Sequence, residues 1–158
     1  MTPAGLLCVV GVGRPVGDDA VGWEVVRQLR ASVGPTPGVQ FHLLDGGQLL
    51  LDVLAGAGAL WLVDAVQSGA APGALHRFAW PDACLDGLRA GSTHDLRPAQ
   101  ALQLAAALGM LPAEVTVFGV EIGSLDPGTG LSAAAAAAVP ALARRMADEM
   151  QPWLRPME

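Results

Sequence analysis

Apolar residues follow two patterns that alternate along the chain. Residues 6–12 and 59–66 are almost continuously apolar, which is typical of strands that are buried on both faces of a sheet. Residues 19–33 instead place valine or leucine near every fourth position, and this spacing predicts an amphipathic helix. The chain is therefore predicted to begin with a buried strand and an amphipathic helix. A further strand and helix follow before the second buried strand.

The same patterns predict the remaining elements and the fold class. Further strands are predicted at residues 39–44, 74–80 and 114–120, and further helices at 48–54, at 97–108 and from Ser132 onwards, the last one kinked or restarted at Pro140. Strands that alternate with helices predict a three-layer α/β/α fold with a twisted, mostly parallel sheet of about five strands. The length of 158 residues suits one domain, which we expect to span residues 1–158.

Composition and charge argue against several classes of function. Hydrophobic residues make up 52% of the chain and charged residues 15%, as in a globular rather than a disordered protein. The net charge is −6 and the basic residues are scattered, which argues against a nucleic-acid partner. The N-terminus lacks the positive region of a secretory signal, and no apolar stretch is long enough to span a bilayer. We therefore expect a cytoplasmic protein without a membrane partner.

Acidic residues stand where several predicted strands end. They are Asp18 and Asp19 after the first strand, Asp45 after the second, Asp64 near the end of the third and Glu121 at the end of the fifth. The carboxyl ends of parallel strands meet at one edge of the sheet, where ligands bind in α/β folds. Together with His94, from the loop before the next helix, these carboxylates would form a plausible divalent-metal site of oxygen and nitrogen ligands.

Several of these residues also have a structural interpretation. Asp18 is expected to be the N-cap of the helix that follows, because an acid there accepts amide hydrogen bonds and suits the helix dipole. Asp45 could bind turn amides or, with Gly46 and Gly47 allowing another backbone to approach, contact a substrate. Asp64 could be a turn residue just past its strand. A buried carboxylate is costly unless it is paired or bound to a cation, so for Asp64 we favour the metal.

The other candidates are less specific when each is taken alone. Asp19 in a first helical turn and His94 in a loop are explained without a metal, and only their convergence with the other acids favours one. Glu121 could be a general base or could pair with an arginine. His42 and His76 fall inside predicted strands, where a structural or an exposed imidazole is expected.

The stretch GVGRPVG is close to a dinucleotide-binding fingerprint but departs from it. Gly11 and Gly13 fit the pattern G-x-G-x-x-G, whereas Val16 occupies the position of the third glycine. Asp18 and Asp19 would repel a pyrophosphate at the start of the helix. A nucleotide-binding α/β domain is therefore the weakest of the interpretations.

Five segments, taken in order, resemble the hydrogenase maturation proteases. They are VVGVGRPVGDDAVG, LLDGGQLLLDVL, ALWLVDAV, STHDL and VTVFGVEIGSLDPGTGLS. The resemblance extends over nearly the whole chain. It implies a monomeric endopeptidase that removes the C-terminal extension from the precursor of the nickel–iron hydrogenase large subunit, and it implies an α/β/α fold.

The resemblance also implies a set of site residues. The three metal-contacting residues of the family fall on Asp19, Asp64 and His94, which leaves Asp18 to brace the helix. The resemblance further implies that the metal is nickel, which the precursor already carries, and that other divalent metals can substitute for it. The chain departs from the family pattern at Arg14, where Asn is usual, in a loop that is one residue short. A non-catalytic factor that binds the precursor is the alternative that this loop suggests.

Overall fold

The structure is a computed structural model, and it describes residues 5–45, 50–81, 98–123 and 130–154. Its elements, in chain order, are β1 (Leu6–Val12), a 3-10 turn (Gly17–Ala20), α1 (Val21–Val33), β2 (Val39–Leu44), α2 (Leu50–Val53), β3 (Ala57–Val66), β4 (Leu75–Ala79), α3 (Pro98–Ala107), β5 (Glu114–Glu121), α4 (Ala133–Glu149) and a 3-10 turn (Gln151–Trp153). No helix among these residues combines the length and the apolar character needed to cross a bilayer.

The five strands form one mixed sheet in the order β2-β1-β3-β5-β4. All neighbours are parallel except β4, which pairs antiparallel with β5 at one edge. Helices α1 and α4 pack on one face of the sheet, and α2 and α3 pack on the other. The predicted α/β/α fold with a mostly parallel five-stranded sheet is confirmed.

Alternate side chains of the central strands enter two separate cores. On the α1–α4 face, Trp61 of β3 contacts Phe118 and Trp153 edge to face, with ring centroids 5.1 and 5.7 Å apart. On the other face, Cys8, Leu62 and their neighbours pack against α2 and α3. Both faces of β1 and β3 are therefore buried, which explains why these strands are continuously apolar in sequence.

The helix boundaries differ from the predictions at several places. Helix α1 begins at Val21, because the residues before it form the separate 3-10 turn. Helix α4 runs without interruption through Pro140, so the predicted restart is wrong. Val139 and Leu142 on either side of the proline are buried, and this packing maintains the helix across the missing amide donor. The predicted helix at 48–54 is observed at Leu50–Val53, and residues 46–49 lie outside the described residues.

Candidate active site

The carboxyl ends of β1, β2, β3 and β5 lie at the same edge of the sheet, because these strands are parallel. The predicted acids at this edge are Asp18, Asp19, Asp45, Asp64 and Glu121. All of them are buried except Asp45, which is exposed directly after β2. Four buried carboxylates at one edge are unusual, because an ionised carboxylate loses its hydration on burial and needs compensating partners.

Asp19 belongs to the 3-10 turn between β1 and α1 and is 8% exposed. Its backbone is fixed at both ends, because its amide donates to the Val16 carbonyl at 3.1 Å and its carbonyl accepts from the Arg14 amide at 3.2 Å. A Cβ atom on Gly13 would lie 2.2 Å from the Asp19 carbonyl oxygen. Glycine at position 13 is therefore required by this close contact, which gives the G-x-G pattern a packing role.

The start of α1 lies directly on the ends of β1 and β3. A Cβ atom on Gly22 would lie 2.6 Å from the Val63 carbonyl oxygen and 2.8 Å from that of Val12. The 3-10 turn before it also contacts β3. The backbone of α1 at Gly22 packs so closely on the two strands that a side chain there would clash. This packing places Asp19 beside the strand that carries Asp64.

Asp64 lies within β3 and is 4% exposed. Its Oδ1 accepts a hydrogen bond from the Ala65 amide at 2.8 Å. The strand continues beyond it, since Ala65 and Val66 still pair with β5. The interpretation of Asp64 as a turn residue past the strand is therefore wrong. Asp64 is a buried carboxylate in the sheet itself, on the face that α2 and α3 cover.

Asp18 does not cap α1, so that prediction is wrong. The capping positions of the 3-10 turn and of α1 are Val16 and Ala20, and neither makes a side-chain capping bond. The Asp18 carboxylate instead accepts two hydrogen bonds from Ser132 at the start of α4, from the amide at 2.7 Å and from the hydroxyl at 2.8 Å. Asp18 does brace a helix, but it is the last helix of the chain.

Glu121 is held by partners from two neighbouring segments. Its carboxylate accepts hydrogen bonds from the Ser68 amide at 2.8 Å and from the Ser68 hydroxyl, and it lies 3.0 Å from Nε2 of His76. Burial raises the pKa of Glu121, but the Ser68 hydrogen bonds and His76 outweigh it and hold the pKa below its ordinary value. Among the described residues, Glu121 pairs with Ser68 and His76 and not with an arginine, and these contacts favour a structural role over that of a general base.

The two histidines of the predicted strands have different surroundings. The half-buried His76 has the structural role that one interpretation gave it, as the partner of Glu121. His42 on β2 is also half-buried, and its Nε2 is buried with no hydrogen-bond partner among the described residues. Burial lowers the pKa of His42, which favours the neutral imidazole.

Three predicted site residues lie outside the described residues. They are His94, Gly46 and Gly47. Within the described part of the chain, no group of three or more His, Cys, Asp and Glu side chains is arranged to hold a metal ion. The structure therefore places two members of the predicted three-residue set, Asp19 and Asp64, at one edge of the sheet.

The chemistry of these two residues suits a divalent cation. Carboxylate oxygens are ligands for divalent ions, and an imidazole nitrogen adds preference for first-row transition metals such as nickel. Because Asp19 and Asp64 are both almost fully buried, a bound cation would offset the cost of removing their negative charge from water. The chemistry of the two carboxylates is thus compatible with a divalent cation, and its identity as nickel stays a prediction.

Sequence reasoning missed the partners of two of the buried acids. Ser132 was predicted only as the start of the last helix, although it is bonded to Asp18 across 114 positions of the chain. Ser68 and His76 were not connected with Glu121. Only the strand order could have suggested these pairs, because Val66, two residues before Ser68, pairs with Glu121, and β4 places His76 beside Gly119.

Comparison with protein-family models gives a match over most of the chain. The model of the HycI family, described as hydrogenase maturation protease, matches residues 23–149, which is well over half of the chain. The matched range begins just after the turn that carries Asp18 and Asp19. Comparison with curated protein sequences gives no significant match.

Solved structures with the same fold include several maturation peptidases. The hydrogenase maturating endopeptidase HybD from E. coli is 25% identical, with 92% of each chain covered and a TM-score of 0.74. An endopeptidase from Escherichia coli, solved in solution, is 26% identical, with 92% of each chain covered and a TM-score of 0.76. A hydrogenase 2 maturation peptidase from Thaumarchaeota archaeon SCGC_AB-539-E09 is 26% identical, covers 92% of this chain and 97% of its own, and has a TM-score of 0.69.

Proposed function

The chain belongs to the hydrogenase maturation protease family, and from this membership we propose that it removes the C-terminal extension of a nickel–iron hydrogenase large-subunit precursor after nickel insertion. The observation that carries the proposal is the pair of buried carboxylates, Asp19 and Asp64, at the carboxyl edge of the sheet. Ligands of α/β folds bind at this edge. We place the substrate there.

In this proposal, Asp19, Asp64 and His94 contact the nickel ion that the precursor carries. Two carboxylates in a poorly hydrated edge attract a divalent cation strongly, because the local dielectric constant is lower than that of water. The ion belongs to the substrate, so its capture also fixes the neighbouring polypeptide of the precursor. Holding the peptide bond in one orientation is itself a large contribution to hydrolysis.

The surrounding residues have supporting roles. Asp18, bonded to Ser132, fixes the turn on which Asp19 lies. The exposed Asp45, with Gly46 and Gly47, is proposed to contact the precursor beside the metal-binding residues. The net charge of −6 is unfavourable for nucleic acid, and we propose that the protein acts as a monomer in the cytoplasm.

A processing assay with site variants tests these roles. The purified protein is mixed with nickel-loaded precursor, and the intact mass of the large subunit reports loss of the C-terminal extension. Asp19→Asn, Asp64→Asn and His94→Ala should each abolish processing, because each removes a proposed contact with nickel. The matched control is Asp148→Asn on the exposed side of α4, which makes the same chemical change and should process normally.

Two results would support other functions. If the wild-type protein binds the loaded precursor but never shortens it, the chain is a non-catalytic binding factor. If a dinucleotide changes the intrinsic tryptophan fluorescence saturably, a nucleotide-binding function is favoured, since Trp23 lies next to the turn. Normal processing by any one of the three site variants would remove that residue from the proposed nickel contacts.

A further inference from the structure

Strand β2 forms an edge of the sheet, and no strand among the described residues pairs with its outer side. The Gly38 carbonyl accepts a hydrogen bond from the Leu7 amide at 2.9 Å, and the Leu44 carbonyl accepts one from the Gly13 amide at 3.0 Å. Alternate residues of a parallel strand bond to the same neighbour, so the even-numbered residues of β2 face β1. The backbone N–H and C=O groups of Phe41 and Leu43 therefore face the open side.

The two edges of the sheet differ in their protection against further strands. Edge strands bind other extended chains unless charges or prolines prevent it. At the β4 edge, the Arg77 guanidinium bonds to Glu149 of α4 at 2.9 Å. Strand β2, with the sequence VQFHLL, has no charged residue or proline, and Leu43 is 38% exposed. Within the described part of the chain, the β2 edge is therefore the less protected of the two.

A groove of about 800 Å³ lies beside this edge, between residues 39–42 and the C-terminal half of α1. The groove is lined by Arg27 and Arg30, both exposed. Arg27 is bonded to Glu24, whereas Arg30 makes no ion pair within the described part of the chain. On a protein of net charge −6, this groove is a local positive site and complements an extended segment that carries acidic side chains.

The open edge leads to the candidate active site. The Leu44 carbonyl at the end of β2 accepts hydrogen bonds from the Gly13 amide and from Nε1 of Trp23, both at 3.0 Å. Gly13 in turn is in contact with the backbone of Asp19. A chain that pairs along β2 is therefore guided to the edge at which Asp19 and Asp64 lie.

We propose that the open edge of β2 binds the C-terminal segment of the precursor as an added strand, with acidic side chains of that segment on Arg27 and Arg30. This inference rests on the proposed function. Backbone hydrogen bonds to Phe41 and Leu43 supply affinity that depends little on sequence, and the arginines supply selectivity. Since these contacts lie away from the scissile bond, they lower KM and leave kcat unchanged.

The first test removes a backbone donor from the open edge. Leu43→Pro deletes an outward-facing N–H and leaves the bonds to β1 intact, because proline is tolerated on the free side of an edge strand. The KM for nickel-loaded precursor should rise roughly tenfold with kcat unchanged, as expected for one or two lost hydrogen bonds. Thermal unfolding is recorded to show that the variant is folded.

Ala79→Pro on the opposite edge is the matched control. The Trp80 amide donates to the Val115 carbonyl at 3.0 Å, so the amide of Ala79 faces outward in the same way. The same change at the β4 edge should leave KM unchanged.

The second test reverses the charge of the groove. Binding of a synthetic peptide that spans the C-terminal extension and the residues before the cut is followed by fluorescence anisotropy at low salt. Arg30→Glu should weaken binding at least fivefold. Arg145→Glu, on the exposed side of α4, changes the net charge equally and should have no effect.

The outcomes separate this inference from the proposed function. If the wild-type protein processes the precursor and Leu43→Pro keeps a normal KM, the edge-strand inference is wrong and the proposed function stands. If the peptide binds to the wild-type protein, with binding lost in Leu43→Pro, while no precursor is shortened, the docking site is supported and the protease function fails. If Leu43→Pro converts a dimer to a monomer in sedimentation without a change in KM, the edge binds a second copy of the chain and the inference is overturned.

Discussion

Asp18 and Ser132 link the first turn of the chain to its last long helix. Ser132 donates to the Asp18 carboxylate through its amide and its hydroxyl, and its hydroxyl also accepts from the Ala135 amide at 3.2 Å. The N-terminus of α4 thus stabilises a buried carboxylate, which is favourable for the helix dipole as well. Through this bond, the position of Asp19, one residue away, depends on α4.

Ser132→Ala should therefore destabilise the protein. The variant leaves the buried Asp18 carboxylate with one donor fewer, so the free energy of unfolding should fall by about 1–3 kcal/mol. Ser132→Thr keeps the hydroxyl and should stay within about 0.5 kcal/mol of the wild type. Urea denaturation followed by circular dichroism measures both, and equal midpoints for Ser132→Ala and wild type would show that the link contributes nothing.

Glu121 should make stability depend on pH in acid. Because its pKa is lowered in the folded state, the unfolded chain takes up the proton first as the pH falls. The stabilisation is therefore complete above the ordinary glutamate pKa of about 4.3 and is lost as the pH falls through the lowered folded pKa. The difference in unfolding free energy between wild type and Glu121→Gln should shrink over this range.

The control for this titration is Glu114→Gln at the exposed start of β5. This variant removes an exposed carboxylate and should change the unfolding free energy at neutral pH by no more than about 0.5 kcal/mol. A constant difference between wild type and Glu121→Gln down to pH 3 would contradict the account of the lowered pKa.

At the scale of elements, the first turn of α1 is determined by backbone contact with the sheet. Alanine is intrinsically favoured over glycine in a helix by about 1 kcal/mol, so Gly22→Ala would stabilise a free helix. Here the added Cβ would lie 2.6 Å from the Val63 carbonyl oxygen, so we expect a loss of about 1–3 kcal/mol instead. Processing should fall as well, because α1 and Asp19 must shift together.

Gln28→Ala in the exposed part of the same helix is the comparison for Gly22→Ala. It tests helix propensity alone and should change the unfolding free energy by no more than about 0.5 kcal/mol. Stabilisation by Gly22→Ala would mean that the close packing of α1 on β1 and β3 is absent in solution.

The elements differ in how much of them could be predicted. Strands β1 and β2 have their predicted bounds, because continuous or alternating apolar runs and flanking turns determine both ends. The start of α1 and the passage of α4 through Pro140 could not be predicted, since both depend on packing between elements that are distant in sequence. The local pattern of apolar residues shows which positions are buried. It does not show which element packs against them, and the start of α1 and the continuity of α4 depend on that packing.

At the scale of the whole molecule, parallel topology is what made the location of the acidic residues at one edge of the sheet predictable. Asp19 and Asp64 are 45 positions apart, and only the shared carboxyl edge of β1 and β3 indicates that they lie on the same side of the molecule. The roles of Asp18 and Glu121 were not predictable in this way, because Ser132 and Ser68 reach them from loops whose position depends on the completed fold. His94, Gly46 and Gly47 lie outside the described residues, and their roles stay predictions.

The central claim is that this chain cuts a precursor that it recognises through nickel. The most direct measurement is the intact mass of the cognate large-subunit precursor after incubation with the wild-type protein, with nickel-loaded and nickel-free precursor side by side. We expect loss of the C-terminal extension from the nickel-loaded form alone, and no loss with Asp64→Asn. Equal shortening of both forms, or an intact extension on the loaded form, would contradict it.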